Sequence, residues 1–177
     1  MDFHTHNLLA KNAIINMPRE WLLHPECAAL RNDALYSAGV HPWWTDSDEE
    51  MEAMLRNLPT VLQRGQVVAV GECGMDLLRG AERERQLDIL RRQLLMAEEM
   101  GLPVTLHVVR AFDVMLRLRK EMCPTTKWTI HGFRGKPALA EQLLRAGFDL
   151  SFGRRRNEES FRITPVDRRH EETDEDY

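Results

Sequence analysis

The chain has 177 residues, 43% of them hydrophobic and 29% charged, with a formal net charge of −4. That is enough for one domain with a sizeable core, and the charge argues against non-specific attraction to nucleic acid but not against a local basic site. The three cysteines, Cys27, Cys73 and Cys123, have no C-x-x-C spacing, no run approaches the ~20 apolar residues of a membrane span, and no signal peptide opens the chain, so a cytoplasmic protein without a disulfide framework, a cysteine zinc site or a membrane partner is expected.

The first apolar run, DFHT, is followed after only about seven residues by AIINM (13–17), too close for a helical crossover of ~10–12 residues. LYSAGV (35–40) reads as the third strand. A helix is predicted from Asp48 to Arg64, with Met51, Met54, Leu55, Leu58 and Leu62 on one stripe. QVVAVGE (66–72) is the fourth strand, and a helix spans Ala81 to Met100 with Leu87, Leu90, Leu94, Leu95 and Met96 at helical spacing. LPVTLHV (102–108), a helix from about Ala111 to Met122, KWTIHGF (127–133), a helix from Lys136 to Ala146 with Gly147 as its C-cap, and FDLSFG (148–153) continue the alternation. The last candidate strand ends in EETD (171–174), in a stretch too polar for a comfortable buried strand. The tail from Arg154 is charge-rich and reads as solvated and partly frayed. Strand–helix alternation implies an α/β fold with a parallel sheet, and eight strand candidates imply a (β/α)8 TIM-type barrel occupying residues 1–177 as a single domain.

Asp2, His4 and His6 alternate, so a strand would put them on one face. By itself His-x-His is a weak signal. The ends of the other runs strengthen it: Glu72 closes the fourth, His107 the fifth, His131 the sixth and Asp174 the last. In α/β barrels the carboxyl ends of the strands carry the chemistry. Four imidazoles and two carboxylates suit one or two divalent cations, and mixed nitrogen and oxygen donors leave zinc, manganese, magnesium, iron or nickel open. His24 and His170 match no such position and read as surface residues, and nothing pairs Cys73 with a base.

The set FHTHN, YSAGVHPWW, VVAVGECGMD, VTLHVVRAFD, WTIHGFRGKP, FDLSFG and EETD, from Phe3 to Asp174, resembles the TatD family of metal-dependent deoxyribonucleases. The resemblance implies a metal-dependent hydrolase barrel that cleaves phosphodiester bonds with a metal-activated water, acting on DNA or a small phosphodiester, with two divalent ions (zinc, magnesium, manganese or nickel). It implies that His4 and His6 bind the first metal, that Glu72 bridges the two, that His107 and His131 complete the second, and that Asp174 binds the first and orients or deprotonates the attacking water. His41, from Gly-x-His-Pro, and Arg110 and Arg134, just beyond two ligand positions, are candidate substrate contacts. Asp76 is expected to orient a loop. Family members continue past the last strand through a loop and at least one helix, whereas this sequence stops three residues after Asp174. The expectation is a barrel lacking its final C-terminal helix, with an exposed last strand over which the protein either forms a homo-oligomer or holds its last segment loosely. The alternatives are a catalytically weak or inactive metal-binding barrel, and a hydrolase of another ester or amide.

Overall fold

The apolar runs form eight strands in the computed structural model, which describes residues 1–174. They are β1 Asp2–Thr5, β2 Ala13–Asn16, β3 Leu35–Ala38, β4 Val67–Asp76, β5 Val104–Val109, β6 Trp128–Ile130, β7 Phe148–Phe152 and β8 Arg169–Glu171. The helices are α1 Arg19–Leu23, α2 Asp48–Leu62, α3 Arg83–Met100, α4 Phe112–Met122, α5 Pro137–Arg145 and α6 Glu158–Ile163. Consecutive strands pair in parallel from β1 through to β8, making a nearly closed barrel of the TIM type. The last three residues of the expected 1–177 domain lie outside the described residues.

Among the described residues no ladder joins β8 to β1. The seam is closed instead by the residues just after β8. The Asp174 N–H donates to the His4 carbonyl (3.1 Å). The Thr173 N–H and hydroxyl donate to the two oxygens of Asp2 (3.0 and 2.6 Å). Asp2 therefore holds the seam rather than joining His4 in the barrel mouth.

The predicted amphipathic helices bury their apolar faces with one exception. On α2, Met51, Met54, Leu55, Leu58 and Leu62 are buried, as is Val61. On α3 the buried face is Ile89, Leu90, Leu94 and Ala97, together with Gln86 and Gln93, while Leu95 is 60% exposed. Of the expected stripe only Leu95 turns to solvent, while Leu87 and Met96 are half-buried against the core and Gln86 and Gln93 take inward positions beside them. The short β1–β2 link has no helix; the Asp2 N–H donates to Asn12 O (2.9 Å), returning the chain beside the start of β1. Among the described residues no helix is long and apolar enough to cross a membrane.

The polar stretch before Asp174 does form a strand, and the charge-rich segment from Arg154 to Asp174 is held against the barrel rather than frayed. Arg168 donates to Asp149 Oδ1 (3.0 Å), to Leu144 O (2.9 Å) and to Phe148 O. Contrary to expectation His170 is half-buried: its ring stacks on Phe3 at 4.4 Å, and Nε2 lies 3.6 Å from Asp149 Oδ2. Polar side chains are tolerated here because a buried carboxylate and backbone carbonyls meet them. Upstream, Asn157 caps α6 by accepting from the Ser160 N–H (3.0 Å).

Candidate metal centre

Glu72 sits in an irregularity of β4, where the register with β5 shifts between Val70 and Cys73. Bulges of this kind re-aim side chains. The close approach continues at Gly74, whose φ is +148° and where a Cβ would fall 1.9 Å from His107 O. Only glycine lets β4 lie against β5 there, which brings Glu72 beside His107. Asn16, at the end of β2, fixes the bulge from the other side: its Oδ1 accepts from the Glu72 N–H (2.7 Å) and from the Ser37 hydroxyl (3.2 Å).

Five of the seven histidines surround this one carboxylate, which is itself 2% exposed. Oε2 faces His4 Nε2 and His6 Nε2, each at 3.3 Å. Oε1 faces His131 Nε2 at 2.7 Å, His107 Nδ1 at 2.9 Å and His41 Nε2 at 3.2 Å. Asp174 closes the mouth, with Oδ1 at 3.7 and 3.8 Å from His4 and His6 Nε2 and Oδ2 at 3.9 Å from His131 Nδ1. All six expected residues therefore converge.

Further carboxylates hold the imidazoles from outside. Asp76 Oδ2 lies 3.2 Å from His107 Nε2 and accepts from the Trp43 indole (2.7 Å), while Oδ1 accepts from the Leu78 N–H (2.9 Å), so Asp76 orients its loop as expected and His107 as well. Glu172, which sequence reasoning missed, is buried; its Oε1 accepts from the Gly132 N–H (2.6 Å) and lies 3.4 Å from His131 Nδ1, and the Ser151 hydroxyl donates to Oε2. His41 is buried rather than displayed to solvent. Its Nδ1 accepts from the Trp43 N–H (3.1 Å), so a neutral ring carries its proton on Nε2, toward Glu72. The two glutamines of α3 steady these loops, Gln93 through the backbone of Val40 (2.6 and 3.1 Å) and Gln86 through that of Asp76 (2.8 and 2.9 Å).

The other expected substrate contacts separate. Arg134 lines a cavity together with His107, His131 and Asp174. Arg110 is exposed, with φ +54°, and does not line that cavity. His24 is exposed, and Cys73 is buried, with burial pushing its thiol pKa far up, which fits no nucleophile.

Burial opposes ionisation of Glu72, but the surrounding imidazoles, His131 above all, hold its carboxyl well below the usual range. Burial likewise opposes charge on His131, and Glu72 and Glu172 overcome it, raising that imidazole well above its ordinary value. His6 is raised in the same way against its own burial, by Glu72 and Asp174, whereas for His41 burial prevails and the pKa falls. The carboxylates and imidazoles of the cluster thus favour one another's charged forms against their burial.

Three sets of donors each lie within 4.8 Å of one another: His4, His6 and Glu72; His4, His131 and Asp174; His41, Glu72 and His107. Both ring nitrogens of His4 and Glu72 Oε2 are buried with no hydrogen-bond partner among the described residues. Each such atom costs on the order of 1–3 kcal/mol if nothing meets it. Donors about 2.0–2.2 Å from one divalent ion stand roughly 3 Å apart, which is the spacing around Glu72. The residues fit a divalent cation.

The family model described as TatD related DNase matches residues 13–177, a span that begins after His4 and His6. The chain is 36% identical over 124 residues to the uncharacterized metal-dependent hydrolase YjjV of Escherichia coli, covering 67% of this chain and 47% of that protein. It is 34% identical over 138 residues to the 3'-5' ssDNA/RNA exonuclease TatD of Erwinia amylovora, covering 73% and 52%. It therefore spans about half the length of these relatives. The crystal structure of E. coli YjjV, described as a TatD homolog, superposes with a TM-score of 0.70 at 26% identity, over 92% of this chain and 66% of that one.

Proposed function

Because the chain belongs to the TatD related DNase family, we propose that it is a divalent-metal-dependent hydrolase that cleaves phosphodiester bonds of nucleic acid. The observation that carries this reading is the division of five imidazoles between the two oxygens of one buried carboxylate. Glu72 would be the carboxylate shared by two divalent cations, zinc, magnesium, manganese or nickel. His4, His6 and Asp174, on the Oε2 side, would hold one, and His107 and His131, on the Oε1 side, would hold the other. Such ions neutralise charge on phosphoryl oxygens and lower the pKa of water towards ~7. Asp174, the most open of the carboxylates, takes the proton of the attacking water as its oxygen bonds to phosphorus and the bond to the leaving nucleoside oxygen breaks. Asp76 and Glu172 keep His107 and His131 aimed at the ions, and His41 keeps Glu72 in place. Arg134 meets a backbone phosphate of the nucleic-acid substrate beside the metal centre.

Turnover of bis(p-nitrophenyl) phosphate and of single-stranded DNA by the metal-loaded protein tests the proposal. A chelator abolishes both activities. Glu72→Ala and Asp174→Ala each lower kcat/KM by roughly 10²–10⁴-fold, and His24→Ala leaves it unchanged. Full activity in chelator, or equal losses from Glu72→Ala and His24→Ala, overturns it. A protein that takes up metal but turns over neither substrate is the inactive barrel.

A further inference from the structure

The arginine run after β7 belongs to no part of the metal centre described above, yet it stands beside it. A cavity of about 280 Å³ is lined by Arg134, Arg154, Arg155 and Asp174. A neighbouring cavity of about 260 Å³ is lined by His107, His131 and again Arg134 and Asp174. Gly132 lines both, so together they make one trough from the histidine cluster, past Asp174, to the arginines. Two glycines lie along it, among side chains that include Glu172, Thr173 and Asp174. Gly132 has φ +58°, and a Cβ there would lie 3.6 Å from Glu172 Oε1 and 3.9 Å from Asp174 Oδ2. Gly153 lines the arginine end.

Arg134 follows β6 and Arg155 follows β7; both are exposed, and among the described residues neither makes a hydrogen bond or an ion pair. Their neighbour Arg156 shows the ordinary fate of a surface arginine here: it is bound by Glu158 at 3.0 Å and Glu171 at 2.9 Å and lies over the Phe161 ring. Two uncommitted guanidiniums converging from different loops onto one cavity, on a chain of net charge −4, form a local exception to the protein's charge. Guanidinium forks match phosphate oxygens.

We propose that Arg134 and Arg155 form a second phosphate subsite, which binds the backbone phosphate adjoining the one at the metal centre in a single-stranded polynucleotide. This rests on the function proposed above and adds the determinant of substrate class. A ligand with one phosphodiester uses only the metal end of the trough, whereas a polynucleotide engages both ends, so the arginines set the preference between them.

Two readouts test this on the metal-loaded protein. The first is anisotropy of a labelled, hydrolysis-resistant phosphorothioate oligothymidylate as salt is raised. Arg134→Glu/Arg155→Glu weakens binding at least roughly tenfold, and the slope of log affinity against log salt becomes shallower by about 1–1.5, as expected for two lost contacts to a single strand. The second is the ratio of kcat/KM for single-stranded DNA to that for bis(p-nitrophenyl) phosphate, which drops about tenfold or more. Circular dichroism checks that the variant is folded, and Arg134→Gln/Arg155→Gln serves if it is not. A wild type that does not bind the strand, a variant with unchanged slope, or an unchanged ratio overturns the subsite. Strand binding that weakens with the variant, in a protein that turns over no phosphodiester, upholds the subsite and defeats the proposed hydrolase instead.

Discussion

At Glu172 a single side chain decides how firmly His131 is held. Its carboxylate answers three groups at once, the Gly132 N–H, the Ser151 hydroxyl and His131 Nδ1. A glutamine keeps one acceptor but turns an N–H₂ toward a partner that also donates. With metal-ligand imidazoles, losing the outer partner typically costs 10–100-fold in metal affinity. Glu172→Gln is therefore expected to weaken divalent metal binding by about that factor, measured by competition with a chromophoric chelator, with the fold intact by circular dichroism. Unchanged affinity would make Glu172 a packing residue only. The six candidate ligands were legible in the sequence because each ends an apolar run, a pattern that needs no knowledge of topology. Glu172, Asn16 and the seam role of Asp2 were not. Asp2 and Thr173 are 171 positions apart, and nothing in either neighbourhood announces the other. Glu172 lies next to the motif that was read, but only the packed strand reveals that it turns inward.

Elements matter to the site through the loops they hold. The last turn of α3 offers an example away from the metal centre. Glu98 accepts from the N–H and hydroxyl of Thr125 (2.8 and 2.5 Å) and from the N–H and hydroxyl of Thr126 (3.2 and 2.9 Å), pinning the link that leads into β6 and so toward His131. These bonds, those of Thr125 first, pull the Glu98 pKa from 4.5 down to about 2. A carboxyl depressed in the folded state stabilises it above the unfolded pKa, and that contribution disappears as pH falls through the folded value. The Tm advantage of the wild type over Glu98→Gln should be full above about pH 5 and shrink to nothing near pH 2. A difference that stays constant over this range would mean that the carboxylate's charge plays no part. The long helices were predicted from their apolar stripes within a few residues. The short ones, α1 and α6, were missed, since five or six residues carry too little periodicity. The Asn157 cap and the two glutamates after it were the one available signal for α6.

For the whole molecule the weak place is the seam. Seven strand pairs are joined by ladders, while among the described residues β8 and the residues after it meet β1 without one, through the Asp174 N–H, the Thr173 bonds to Asp2 and Thr5, and the stacking of His170 on Phe3. The candidate ligands straddle that join: His4 and His6 approach from the β1 side, Asp174 from the β8 side, and Glu72 faces them from across the barrel. A cation held by all of them would act as a cross-link over the one interval without a ladder. Binding to the folded state alone stabilises it by about 2.7 kcal/mol at a free concentration of 100 Kd. For a chain of this size that is roughly 5–10 °C in Tm. Thermal unfolding with saturating divalent ion and with chelator should differ by that amount. The location of the gain is the sharper test. Hydrogen exchange should show added protection concentrated at Asp2–Thr5 and Arg169–Asp174, with little change in the sub-global opening of α2, whose buried face already packs on the core. No Tm shift would count against the ligand set. A shift with protection spread evenly over all elements would mean that the ion binds without bridging the seam.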